Sequence, residues 1–100
     1  MIEVTEKAIE KISGIIENDE DYSAENTLFR IQVTGKTATD YKYGIGLEFR
    51  KDDYTETESF FNLEKFSMVV DERSLRILDG ATVDYKEDLN VQGFDIINPN

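Results

Sequence analysis

From Tyr41 to Arg50 the chain alternates without a break. Tyr41, Tyr43, Ile45, Leu47 and Phe49 fall on one side, and Lys42, Gly44, Gly46, Glu48 and Arg50 on the other. Successive side chains of an extended strand point to opposite faces, so this period of two predicts a half-buried strand. Gly44 and Gly46 on its polar side predict close approach by another backbone, or a sharply coiled sheet.

The segments around this strand supply its company. Ala8, Ile9, Ile12, Ile15 and Ile16 recur at helical spacing behind Thr5, which is placed to cap the first turn. Val4 and Ile9 have the spacing of a hydrophobic staple. The helix is expected to fade through Glu17, Asp19, Glu20 and Asp21, because carboxylates are unfavourable near its negative end. Leu28 to Val33 reads as a strand, with a turn expected around Gly35. Residues 51–57 read as a polar hairpin connection. Two short strands follow, Glu58 to Phe61 and Phe66 to Val70. Asp71 is positioned to cap a short helix through Leu78, with Leu75 and Leu78 inward and Gly80 ending it. Ala81, Val83 and Tyr85 alternate in a further strand, and Gly93 to Ile97 form the last.

One amphipathic helix cannot cover two sheet faces. The fold class is therefore α+β: a compact roll or sandwich of mostly antiparallel strands, with an N-terminal helix and a short helix near 72–78. One hundred residues without a linker or repeat make a single domain, residues 1–100. With no cysteine, no disulfide or thiolate metal site contributes to its stability.

Twenty-two acidic residues against 11 basic ones give a net charge of −11. Such a surface repels phosphate backbones and anionic lipid, so neither nucleic acid nor membrane is an expected partner. The acidity reads as solubility, with attraction of a basic protein as the alternative. Charges interrupt every apolar run at the N-terminus, unlike a signal peptide, and a cytoplasmic location is expected.

Several stretches resemble one family. FSMVVDERSLRILDGATVDYKEDLNVQGFDIINPN is similar to the C-terminal half of HesB/IscA proteins, the A-type iron–sulfur carriers. MIEVTEKAIEKI resembles their opening segment, and ATDYKYGIGLEF resembles the central strand that usually begins with a Cys-Ser-Gly motif. The resemblance spans nearly the whole chain. It implies the HesB/IscA fold and an activity resting on three cysteines that hold a cluster or iron, usually between subunits. The first of these falls on Ala38, with Thr39 and Asp40 in place of Ser and Gly. The other two, expected just beyond the Asn98-Pro99-Asn100 tail, have no counterpart. A missing tail would account for those two but not for Ala38, inside the folded body.

Iron–sulfur clusters need thiolate ligands, occasionally supplemented by imidazole. This chain has neither Cys nor His. No cofactor is expected, and Asp40 alone does not make a metal site. Ser13, Ser23, Ser59, Ser67 and Ser74 lack a histidine to activate them, so no catalytic residue is expected and the protein reads as a non-enzyme. Asp52, Asp53, Glu56 and Glu58 read as a solvated acidic rim. Gly44-Ile45-Gly46 lies within a strand and fails the context of a phosphate loop.

One segment stays open: Gly35, Lys36, Thr37, Ala38, Thr39, Asp40 and Tyr41, which replaces the family's ligand-bearing loop. It is either a protein-contact surface or a loop that lost its ligand and drifted. The resemblance implies a cluster-free interaction or regulatory module linked to iron–sulfur or sulfur metabolism. The alternative is an accessory that pairs with a cysteine-bearing homologue. The family assembles around shared metal; without it, a monomer is expected.

Overall fold

A computed structural model describes residues 1–88 and 92–100. In chain order the elements are β1 (Glu3–Val4), α1 (Glu6–Glu17), β2 (Thr27–Lys36), β3 (Tyr41–Phe49), β4 (Glu58–Asn62), β5 (Ser67–Asp71), α2 (Glu72–Ile77), β6 (Thr82–Glu87) and β7 (Gln92–Ile97). They form two sheets, a four-stranded one ordered β3-β2-β5-β4 and a three-stranded one ordered β1-β6-β7. The β2/β3, β4/β5 and β6/β7 pairs are antiparallel, whereas β1/β6 and β2/β5 run parallel.

Thr5 caps α1 as expected. Its hydroxyl oxygen accepts from the Ala8 amide at 3.2 Å and donates to Asp84 at 2.7 Å, tying the helix start to β6. Ala8, Ile12 and Ile16 enter the core with Phe29, Ile31, Met68, Val70, Leu78 and Val83. Ile15 does not share that burial and stays 40% exposed. It borders an apolar cleft shared with Ile45 and Phe94, where α1 passes the free edges of both sheets.

Asp71 caps α2 by accepting from the Ser74 amide at 3.1 Å. Gly80 then takes φ +84°, a left-handed geometry that glycine adopts without strain. The hydroxyl of Ser74, only 1% exposed, accepts from the Val33 amide at 2.9 Å and so seats α2 on the far end of β2.

Three local expectations need correction. Gly35 lies inside β2 rather than at a turn, because an irregularity between Val33 and Gly35 absorbs an extra residue and lets the strand run to Lys36. Residues 51–57 do not join a hairpin. β3 and β4 occupy opposite edges of one sheet, so the connection must cross its outer face. There Tyr54 packs edge-on to Phe60, with ring centres 5.1 Å apart, and roofs a face on which Leu28 and Val69 are fully buried. Finally, of the two expectations for the glycines of β3, the close approach of another backbone is not met. A Cβ on Gly44 would meet the Thr34 methyl at 3.0 Å, and one on Gly46 would meet open space.

Candidate functional site

The segment from Gly35 to Tyr41 splits into two parts. Gly35, Lys36 and Tyr41 belong to the strands, with Gly35 opposite Lys42 and Lys36 opposite Tyr41. Thr37, Ala38, Thr39 and Asp40 form the exposed turn. Polar atoms within the turn close on one another. The Thr37 amide donates to the Asp40 carbonyl at 2.6 Å, and the Thr37 hydroxyl accepts from the Asp40 amide at 2.9 Å. Ala38 therefore sits at a hairpin tip, interior to the sequence but not to the fold. The Lys36 ammonium lies 5.2 Å from the centre of the Tyr41 ring, a cation–π contact at the base of the turn.

The tail reaches the same end of the molecule. The Asn98 side-chain amide donates to the Tyr43 hydroxyl at 3.0 Å and to the Ile77 carbonyl at 3.1 Å. Asn100 donates to the carbonyls of Ile77 and Asp79 at 2.9 and 2.7 Å. These carbonyls lie at the end of α2, where a helix leaves acceptors unpaired, so the two asparagines act as its C-terminal cap. Tyr43 lies two positions along β3 from Tyr41, which brings the tail beside the base of the turn.

The acidic residues separate. Asp52, Asp53 and Glu56 are solvated as expected, but Glu58 is not part of a rim. It joins a network on the outer sheet face that the sequence did not disclose. Arg30 donates to Glu48 at 2.5 Å and to Glu58 at 3.2 Å, and Tyr54 donates to Glu48 at 2.7 Å. Burial tends to raise the Glu48 carboxyl, yet the hydrogen bonds from Arg30 and Tyr54 hold it below the usual carboxylate range. Burial and the bond to Glu48 push the Tyr54 hydroxyl up. The hint was there: Arg30 and Glu48 both occupy polar positions of adjacent strands. Finding their partner Glu58 required knowing that β5 carries β4 to the same face. The network holds a strap in place and offers no reacting group.

Among the described residues, no three Asp or Glu side chains are grouped closely enough to hold a metal ion. Nor is any helix among them long and apolar enough to cross a membrane.

A family model described as iron–sulphur cluster biosynthesis matches residues 1–100. The chain belongs to that iron–sulphur cluster biosynthesis family. It is 33% identical over 99 residues to a SufA protein of Bacillus subtilis, covering 99% of this chain and 78% of the relative. The iron–sulfur cluster insertion protein ErpA of Ruthia magnifica is 35% identical over 96 residues, covering 96% and 77%. Among solved structures, an Aquifex aeolicus protein superposes with a TM-score of 0.69 at 30% identity, covering 98% of this chain and 91% of that one. IscA carrying a [2Fe-2S] cluster superposes with a TM-score of 0.74 at 24% identity over all of this chain and 86% of IscA, a likeness of fold. The HesB/IscA architecture implied by the sequence is thus the one this family member adopts. Its residues do not fit the cluster held by that IscA. Thiolate ligation needs sulfur, and none of the 100 residues is Cys or His.

Proposed function

We propose that this chain is a non-enzymatic member of the iron–sulphur cluster biosynthesis family that works through protein contact instead of carrying a cluster on its own side chains. It acts in the cytoplasm, as an interaction or regulatory module in iron–sulfur or sulfur metabolism. The observation that carries this reading is the turn at Ala38. It stands where the family's first ligand falls and presents a methyl group, with the carboxylate of Asp40 two residues on. An exposed turn mounted on a rigid sheet suits recognition, and Lys36, Asp40 and Tyr41 give it both charges and an aromatic face.

The experiment is anaerobic incubation of the purified chain with iron and sulfide, followed by visible absorption and metal analysis. The expected result is sub-stoichiometric iron that a chelator removes. Equimolar, chelator-resistant cluster absorbance would sink the reading.

A second reading, an accessory that lends a subunit face to a cysteine-bearing relative, draws support from the tail. Asn98 and Asn100 keep the clasp on α2 and Tyr43 that would deliver a following segment to the turn. Mixing the chain with such a relative and measuring co-elution separates the two readings.

A further inference from the structure

Among the described residues six large apolar side chains stay exposed, and three of them, Ile15, Ile45 and Phe49, border a single groove. The groove runs between the C-terminal half of α1 and the inner row of β3. At one end Ile12 and Ile15 meet Ile45, Leu47 and Phe94 in an apolar cleft. Two positions on from Leu47, Phe49 extends the same row to Tyr22, with ring centres 5.3 Å apart.

Carboxylates crowd the helix side of this groove. Between Lys11 and Arg30 the chain carries Glu17, Asp19, Glu20, Asp21 and Glu25 and no cation. Asp19 and Glu10 share a surface depression with Ile15, and Glu17 shares another with Tyr22. Among the described residues none of these acids enters a salt bridge. Of the cations nearby, the Lys11 ammonium lies 5.1 Å from the centre of the Tyr85 ring, Arg50 donates to the Glu25 carbonyl at 3.3 Å, and Lys65 borders the second depression. Carboxylates at the end of a helix oppose its dipole. Several together cost the fold stability, and a cation arriving from outside would offset that cost.

We propose that this groove receives a basic amphipathic helix of a partner protein, its apolar row on Ile15, Ile45 and Phe49 and its cations on the carboxylates at 17–21. The inference rests on the reading of this chain as an interaction module and adds the chemistry of its partner. Ile45 and Phe49 stand four residues apart on one strand, about 13 Å. Two turns of a helix span that distance, with anchors at i, i+4 and i+7. Charge selects against a second copy, which would bring another −11 to the same rim. Nor does such a copy have a suitable helix to offer. Its α1 sets Glu6, Glu10 and Glu17 against Lys7 and Lys11, and its α2 has six residues. The apolar row holds the partner helix, while the charges speed its approach and set its direction.

The test uses two synthetic peptides of one composition, leucine and lysine, about 14 residues long. One places leucine at helical spacing, and the other scrambles the order. Each is titrated into the isotopically labelled chain, without iron or sulfide, and followed through its amide chemical shifts. The helical peptide should move amides at 10–22 and 45–50 and bind about tenfold more tightly than the scrambled one. Phe49→Ser and, independently, Ile15→Ser should each weaken it about tenfold, at exposed sites whose change leaves the remaining amide shifts in place. Asp19→Lys should also weaken it and reduce its sensitivity to salt. Absence of binding, equal binding of the two peptides, shifts centred elsewhere, or indifference to the groove substitutions overturns the proposal. So does a sedimentation mass that doubles without peptide while the groove amides move, because a second copy then fills the groove. Failure here leaves the cluster-free reading standing, since that reading falls only to an equimolar cluster, which this measurement neither forms nor needs.

Discussion

The turn at 37–40 and the tail at 98–100 meet at one end of the molecule, yet their side chains have different tasks. The asparagines of the tail satisfy carbonyls at the end of α2 and reach across to Tyr43. Side chains of the turn mainly close the turn on itself. The resemblance to cluster carriers survives in the tail, where the fold itself needs the residues, and lapses in the turn, where only a ligand would. A retained motif in this chain therefore reports architecture, and the chemistry has to be judged at Ala38.

The largest expected effect lies at the shared support. Ser74→Ala removes the acceptor of the Val33 amide in a fully buried place and should cost about 2 kcal/mol, read as a lower urea midpoint. An unchanged midpoint would mean that α2 is not seated by that bond. Asn98→Ala should cost about 1 kcal/mol, a fall in melting temperature of about 4–8 °C for a domain of this size.

Acid should act on the same support. Burial favours the neutral form of Asp71, but the hydroxyl and amide of Ser74 hold its carboxyl below the usual range. A depressed carboxyl contributes stability above its unfolded value of 3.8, and that contribution disappears as pH falls toward the folded value. Denaturation midpoints should therefore decline from about pH 5 downward. Asp71→Asn, which still caps but does not titrate, should flatten that part of the decline. A variant with the same acid slope would assign the loss to another carboxylate, with Glu48 next in line.

The smallest effects belong to the turn. Thr37→Ala should cost about 0.5 kcal/mol, because its bonds are exposed to water. Ala38→Cys should leave the midpoint unchanged. With one thiolate and no imidazole in the chain, it should also fail to bind an equimolar cluster, measured as before. A stable cluster on that variant would mean that ligands can be recruited from outside a single chain.

Much of this was legible in the sequence where local chemistry decides. Thr5 and Asp71 cap their helices as expected, because a cap depends on a side chain and an amide three residues on. Strand β3 runs from Tyr41 to Phe49, as its alternation required. What the sequence hid is non-local. The irregularity after Val33 lies where Ser74, from α2, takes up the Val33 amide, a meeting of distant segments that no local pattern announces. The crossing of 51–57 follows from β5 settling parallel to β2, a choice that alternation cannot reveal. The Arg30 network needs three strands and the strap in place before its members become neighbours. Within the site, composition located the missing ligand at Ala38, whereas the tail clasp on Tyr43 could only be seen in three dimensions.

The pairing of β1 has a further consequence. Glu3 and Val4 find their hydrogen-bonding partners at Thr82 and Val83, so a chain emerging from the ribosome has nowhere to seat β1 until residues 82 and 83 have been made. Loop closure on that scale comes late and slowly. Until then Ala8, Ile12 and Ile16 lack the sheets that cover them in the fold. Newly made protein thus passes through a sticky interval, one that would lengthen in any variant slow to lay down β6.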